Sequence, residues 1–219
     1  MKESKTIPID TLVSCYLRAK SSLVALGYAP EIDHQDSICF EKLCESDFLR
    51  EAAWVVLSSG MREAVVRAKF GDISAAFFNW RSSHRIAANR RSCLLRALKV
   101  FHHEKKIAAI WQIATMVSKF GIDTIKKDIL EDGLDYIGTL PFMGPVTSYH
   151  LAKNIGFAVV KPDRHLMRIS KIAGFSSPLE MCRNIEKEVG DKLTVIDTVL
   201  WRYATLFRYE SLFSSSPVG

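Results

Sequence analysis

The chain has 219 residues, 48% of them hydrophobic and 25% charged. That balance suits one large domain or two small interlocked ones and excludes a disordered chain. There are 30 basic and 24 acidic residues, a formal net charge of +6, which suits a polyanionic partner without requiring one.

No apolar run reaches the roughly 18 residues of a membrane span, and the N-terminus MKESKTIPID lacks the apolar core of a signal peptide. The expected location is therefore inside the cell, cytoplasmic or beside nucleoid or nuclear DNA, with no membrane contact. Five scattered cysteines, Cys15, Cys39, Cys44, Cys93 and Cys182, form no CxxC; they read as buried free thiols. His84, His102, His103 and His165 lack ligand spacing, so no zinc site is expected.

Periodicity predicts helices almost throughout. Asp10 can cap a first helix carrying Leu12, Val13, Tyr16, Leu17, Val24 and Leu26 and ending near Gly27 and Pro30. Ser46-Asp47 opens a second, with Phe48, Ala52, Val55 and Val56 on one face, ending at Ser59-Gly60. Further helices are predicted over 61–70, 89–102 and 107–120, the last with Ile107, Ile110, Trp111, Ala114 and Val117 as a buried stripe. A short helix over 123–130 precedes one beginning near Asp132, then others over 145–154 and 163–173. Ser177-Pro178 is a start signal for a helix reaching Glu188. The last runs from about Lys192 to Tyr209 with Ile196, Val199, Leu200, Tyr203 and Phe207 inward, before a frayed tail SSSPVG. Trp54, Trp111 and Trp201 read as core. The class is all-α.

Two stretches concentrate positive charge. From Arg81 to Lys106 there are eight Lys/Arg and one acid, and from Leu151 to Gly174 five Lys/Arg and one acid, Asp163. Either alone reads equally well as a solvated face.

The segment 137–148, IGTLPFMGPVTS, places Pro141 and Gly144 in a tight turn between two helices. Such a turn leaves backbone N–H groups at the positive end of the second helix, where a phosphate can be held without side-chain charge. The stretch Leu140-Pro141-Phe142-Met143-Gly144 with Thr147-Ser148, followed by Pro162-Asp163-Arg164-His165-Leu166-Met167-Arg168, resembles the helix-hairpin-helix and downstream aspartate of the DNA glycosylase superfamily. The likeness extends over about residues 46–205, with Leu57-Ser58-Ser59-Gly60 in place of the family's Leu-Leu-Gln-Gln-Thr element and Asp197-Thr198-Val199-Leu200-Trp201 similar to its closing helix.

The resemblance implies two interlocked helical subdomains with the DNA and base cleft between them. Residues 1–45 would form an N-terminal helical segment packing with the C-terminal part. Residues 46–158 would form a barrel-like subdomain holding the hairpin at about 132–156, and 159–219 would carry the aspartate and the tail. It implies a monomer acting on double-stranded DNA with a damaged or modified base, as a base-excision hydrolase with Asp163 catalytic. Phe142, Met143, Gly144, Val146, Thr147, Lys153, Lys161, Arg164 and Arg168 would contact DNA, and Ser58, Ser59, Tyr149 and His150 would edge the base pocket. No organic cofactor or iron-sulfur cluster is implied, with room only for a monovalent cation at the hairpin.

The sequence departs from the family in three places. Phe142 stands where the first hairpin glycine would, so the turn either relaxes or uses Phe142 as an apolar contact. Val146 stands where bifunctional members carry a Schiff-base lysine, so a lyase step is not implied unless Lys153 or Lys161 substitutes. Ser58-Ser59 replaces the glutamine pair. Breaking an N-glycosidic bond builds positive charge on the sugar, which a carboxylate near C1′ stabilises while orienting the attacking water. The base must first leave the stack. Read without the resemblance, Asp163 after Pro162 is a good helix N-cap. A non-catalytic DNA-binding module and a helical protein-interaction domain remain alternatives.

Overall fold

The computed structural model describes residues 6–213, which form thirteen α-helices and three short 3₁₀ turns with no strand. In chain order the helices are α1 (Ile9–Ala25), α2 (Ala29–Ser37), α3 (Glu45–Ser58), α4 (Glu63–Ala76), α5 (Ser83–Ala88), α6 (Arg90–Val100), α7 (Glu104–Phe120), α8 (Ile122–Asp132), α9 (Leu134–Thr139), α10 (Pro145–Asn154), α11 (Arg164–Ala173), α12 (Pro178–Val189) and α13 (Leu193–Leu206). No helix is long and apolar enough to cross a membrane.

The all-α class is as expected, while several local readings change. Pro8, not Asp10, caps α1, and Leu17, Val24 and Leu26 lie on its exposed side. α1 ends at Ala25, just ahead of Gly27 as expected, and Pro30 sits in the first turn of an additional helix, α2, where its missing N–H costs nothing. α4 runs six residues further than predicted, and the last helix stops at Leu206 with Phe207 beyond it. α5, too short to show a period, was hidden in the basic stretch. Trp54, Trp111 and Trp201 are half-buried, and Trp80 is the tryptophan in the core. Cys15, Cys93 and Cys182 are buried, but Cys44 is exposed and Cys39 half-buried, because both lie just ahead of α3 rather than on a core-facing stripe. The SSSPVG tail lies outside the described residues.

The chain forms two compact units, one combining the N-terminal segment through Cys39 with the chain from Gly156 onward, the other Phe40–Ile155. In the first unit α13 is the central element, with every residue from Leu193 to Leu200 buried and α1, α2, α11 and α12 packed against it. Residues far apart in sequence lock this unit. Tyr16 donates its hydroxyl to Asp191 Oδ2 at 2.5 Å, and Lys20 pairs with the same carboxylate at 2.7 Å. Burial and the Asp191 carboxylate push the Tyr16 pKa up, so it remains a donor. Arg202 grips Glu31 with two bonds of 2.8 Å, the bidentate geometry that suits a guanidinium. The backbone joins too, Ile7 N donating to Ala173 O at 3.0 Å.

In the Phe40–Ile155 unit α3 and α7 pack together, with α4, α5 and α6 beside them and the α9–α10 pair against α3 and α8. A buried lysine secures the end of α3. Lys106, 2% exposed, donates Nζ–H to Leu57 O at 2.7 Å and to Ser59 O at 2.5 Å. These are carbonyls that a helix C-terminus leaves without partners. No carboxylate among the described residues pairs with it, and desolvation lowers its pKa.

Gly174 ends α11 at φ +81, and a Cβ there would meet Thr6 Cα at 2.6 Å. Gly27, at φ +87, has open space around it. Gly27→Ala should therefore cost only the left-handed strain of about 1–2 kcal/mol, whereas Gly174→Ala should cost clearly more and lower Tm further. Equal Tm losses would mean the N-terminal segment yields freely. For Lys106 the folded pKa lies below the unfolded value of about 10.4, so the unfolded chain binds the proton more tightly between the two. Stability should then rise with pH through that window. The difference in unfolding free energy between wild type and Lys106→Met should climb toward pH of about 10; a flat difference would mean the ammonium is as well solvated as in the unfolded chain.

Candidate nucleic-acid site: the hairpin and the Asp163 segment

The hairpin belongs to the Phe40–Ile155 unit. Chain reversal between α9 and α10 takes Leu140 to Gly144, with Met143 N donating to Leu140 O at 3.0 Å. Phe142 adopts φ +68, a left-handed conformation that glycine takes readily. The turn therefore holds a non-glycine residue in a strained backbone conformation. The ring is 38% exposed, stands edge-on to His103 at 6.1 Å and lies 5.7 Å from Lys106 Nζ. Phe142 is thus an apolar and cation–π contact over the buried ammonium, which offsets part of the backbone strain.

Gly144 is the N-cap of α10 and Pro145 its first residue. The Thr147 hydroxyl accepts from Gly144 N at 2.6 Å and donates to Gly144 O at 3.1 Å, while Ser148 N and Oγ both reach that carbonyl at 2.9 Å. Gly144 N–H is therefore committed and Pro145 has none, so the amides left for an anion at this helix start are those of Val146 and Thr147. Val146 is 64% exposed, and the position matched to the family's lysine thus projects an apolar side chain into solvent. Gly144 O is already crowded, accepting from Thr147 Oγ1, Ser148 N and Ser148 Oγ, whereas Leu140 O accepts from Met143 N.

Met143 is buried, its side chain in the wall of an open groove of about 430 Å³ between α9 and α10, lined also by Asp135, Gly138, Ser148 and Tyr149. Tyr149, His150 and Lys153 are half-buried on α10. Ser58 and Ser59 are half-buried at the end of α3. Ser59 O is held by Lys106, and Ser58 Oγ is enclosed without a hydrogen-bond partner.

Asp163, Lys161, Arg164 and Arg168 belong to the other unit. Asp163 is half-buried and is the N-cap of α11, with Oδ1 accepting from His165 N at 2.8 Å and from Leu166 N at 2.9 Å. Both bonds fall on one oxygen, which orients the carboxylate and leaves Oδ2 outside the cap. The cap reading of the sequence is thus correct, and it does not use up the group. Arg164 is exposed and bonds His165 Nε2 at 3.3 Å, while His165 Nδ1 is buried without a partner. Arg168, also exposed, holds its guanidinium 5.4 Å from the Tyr209 ring.

Sequence reasoning assigned no role to Asp197. It is 2% exposed on α13, and its Oδ2 accepts from Lys161 N at 2.7 Å. Lys161 O in turn accepts from Asp163 N at 2.8 Å. Asp197 thus anchors the tight turn around Pro162 that delivers Asp163 to its helix. The available signal was a lone carboxylate inside LTVIDTVLWRYA, since a buried charge persists only where partners satisfy it. No three His, Cys, Asp or Glu side chains converge as a metal site among the described residues.

No protein-family model and no curated protein matches the sequence. Solved structures do match in fold. The Methanocaldococcus jannaschii 8-oxoguanine glycosylase/lyase, in complex with a 15mer DNA containing 8-oxoguanine, matches with a TM-score of 0.57 at 17% identity, over 90% of this chain and 98% of that one. The 8-oxoguanine DNA glycosylase of the same organism matches with a TM-score of 0.55 at 18% identity, over 90% and 94%. The chain has the all-helical fold of these 8-oxoguanine DNA glycosylases.

Proposed function

We propose that this chain is a DNA glycosylase that hydrolyses the N-glycosidic bond of a damaged or modified base through Asp163, without a lyase step. The observation that carries the reading is the Asp163 carboxylate, oriented by two amide bonds to Oδ1 and followed on α11 by Arg164, His165 and Arg168. An immobilised carboxylate with one oxygen uncommitted suits a reaction whose transition state gathers positive charge at C1′, because no reorganisation is needed when that charge appears. Oδ2 would face the sugar or take a proton from the attacking water. The fold, shared with 8-oxoguanine glycosylases, supports the reaction class and makes 8-oxoguanine the first base to test. The relative named a glycosylase/lyase is the reason to test strand cleavage separately. The absence of an amine at Val146 supports hydrolysis alone.

The second reading, a DNA-binding module without chemistry, draws on that exposed apolar Val146 in the hairpin helix. The two readings separate on duplexes carrying 8-oxoguanine, alkylated purines, deaminated bases or hypermodified bases. Asparagine caps a helix as well as aspartate does, so Asp163→Asn removes the charge while keeping the fold. It should cut formation of alkali-sensitive sites by at least about a hundredfold and leave DNA affinity and Tm intact. Base release that survives the change would end the case for Asp163, and no release by wild type on any base, with binding kept, would favour the module. Borohydride reduction during turnover should trap no protein–DNA adduct. A trapped adduct would reveal an amine nucleophile, with Lys153 and Lys161 the first to replace.

A further inference from the structure

The Phe40–Ile155 unit carries a second concentration of positive charge away from the hairpin sequence, and its side chains are held in an unusual way. Arg85, Arg90, Arg91, Arg96, Lys99 and Lys105 are all exposed, and none of them forms an ion pair among the described residues. The contrast lies within the same unit, where Arg50 pairs with Asp47 and Glu51, and Arg67 pairs with Glu63. The helices packed against α6 are α4, α5 and α7. They offer few carboxylates: Glu63, already taken by Arg67, Asp72 on α4 and Glu104 on α7.

Three of the arginines are positioned rather than free. The Arg85 guanidinium lies 4.3 Å from the Phe78 ring centroid and that of Arg90 5.0 Å from Trp111, while Arg96 donates to Ala75 O at 3.1 Å. Phe78 is available because the chain turns through φ values of +55, +51 and +62 at Phe78, Asn79 and Trp80. That turn stacks Phe77 and Trp80 inward at 5.3 Å and leaves Phe78 only half-buried beneath Arg85. A guanidinium held on a ring keeps its edge N–H groups and loses little further freedom when it meets a phosphate. Arg91 and Lys99 share the outer side of α6 two turns apart, about 12 Å along the axis. A merely solvated face would be expected to pair its charges along the helix or leave them on mobile stems.

We propose that the outer face of α5 and α6 is a second DNA-binding surface, holding duplex phosphates through arginines preset on aromatic rings. The proposal rests on the reading of this chain as a protein that acts on DNA. It adds a grip that the hairpin and the Asp163 segment do not supply, and it involves no base contact and no chemistry.

The test is equilibrium binding of an undamaged duplex of about 25 base pairs, read by fluorescence anisotropy across a salt titration. One variant combines Arg85→Gln, Arg90→Gln, Arg91→Gln and Lys99→Gln. A charge-matched control combines Arg18→Gln, Arg183→Gln, Lys187→Gln and Arg208→Gln, all exposed, in the other unit and outside the 151–174 basic stretch. Each phosphate contact contributes about 0.9 to the slope of log affinity against log salt. The first variant should therefore lose about 2 or more from that slope and bind at least about tenfold more weakly near 0.1 M salt. The control should stay within about threefold of wild type. Should the fourfold variant fold poorly, Arg91→Gln with Lys99→Gln, which disturbs no ring contact, should give about half the change in slope. Equal losses in variant and control would reduce the effect to net charge and overturn the proposal, as would an unchanged slope. Because the duplex is undamaged, the outcome is independent of base release. A chain that excises nothing but shows the slope change loses the glycosylase reading and keeps this surface, while one that excises without the slope change does the reverse.

Discussion

Two amide hydrogen bonds to a single oxygen of Asp163 are the constraint from which the proposed chemistry follows. They make the residue a helix cap and fix the direction of its carboxylate in one stroke, so stabilisation of α11 and presentation of Oδ2 are the same arrangement. The cap requires an extended Asp163, and the tight turn ahead of it is set by Asp197, whose buried carboxylate takes Lys161 N. A carboxylate buried in the middle of α13 would be costly if unsatisfied. Its retention there makes physical sense because it organises the backbone immediately ahead of Asp163.

In the other unit a substitution that looks damaging in sequence is accommodated by a neighbour. Phe142 occupies a left-handed position at a cost of about 1–2 kcal/mol, and its ring covers Lys106. Lys106 itself ties down the last carbonyls of α3. The hairpin turn and the end of α3 are therefore linked through one buried ammonium. The same linkage spends Ser59 O, which narrows what the Ser58-Ser59 element can offer a base. Thr147, by binding both polar groups of Gly144, takes that amide out of the set an anion could use and leaves those of Val146 and Thr147 at this helix start.

Much of this was legible in the linear sequence. The all-α class followed from periodicity, and the starts of α10, α11 and α12 followed from Gly144-Pro145, Asp163 and Ser177-Pro178, because capping chemistry is local and each residue's role depends on neighbours three or four positions away. Asp163 was identifiable as a cap from its own surroundings and as a candidate for catalysis from its register with the hairpin. α2 and α5 escaped because nine and six residues are too short to display a helical period.

What the sequence could not specify are the relations between residues distant along the chain. Lys106 reads as one more charge in a basic run until the fold brings α3 to its Nζ and a hairpin ring over it. Asp197 reads as a polar lapse in an apolar helix until Lys161 N is found at 2.7 Å. Arg85 and Arg90 read as solvated charge until Phe78 and Trp111 are found beneath them. Local hydrogen bonding and periodicity are functions of neighbours in sequence and so were determined by the sequence alone. Burial of a charge, and which ring or carbonyl satisfies it, depends on packing between helices, and only the tertiary structure decided them.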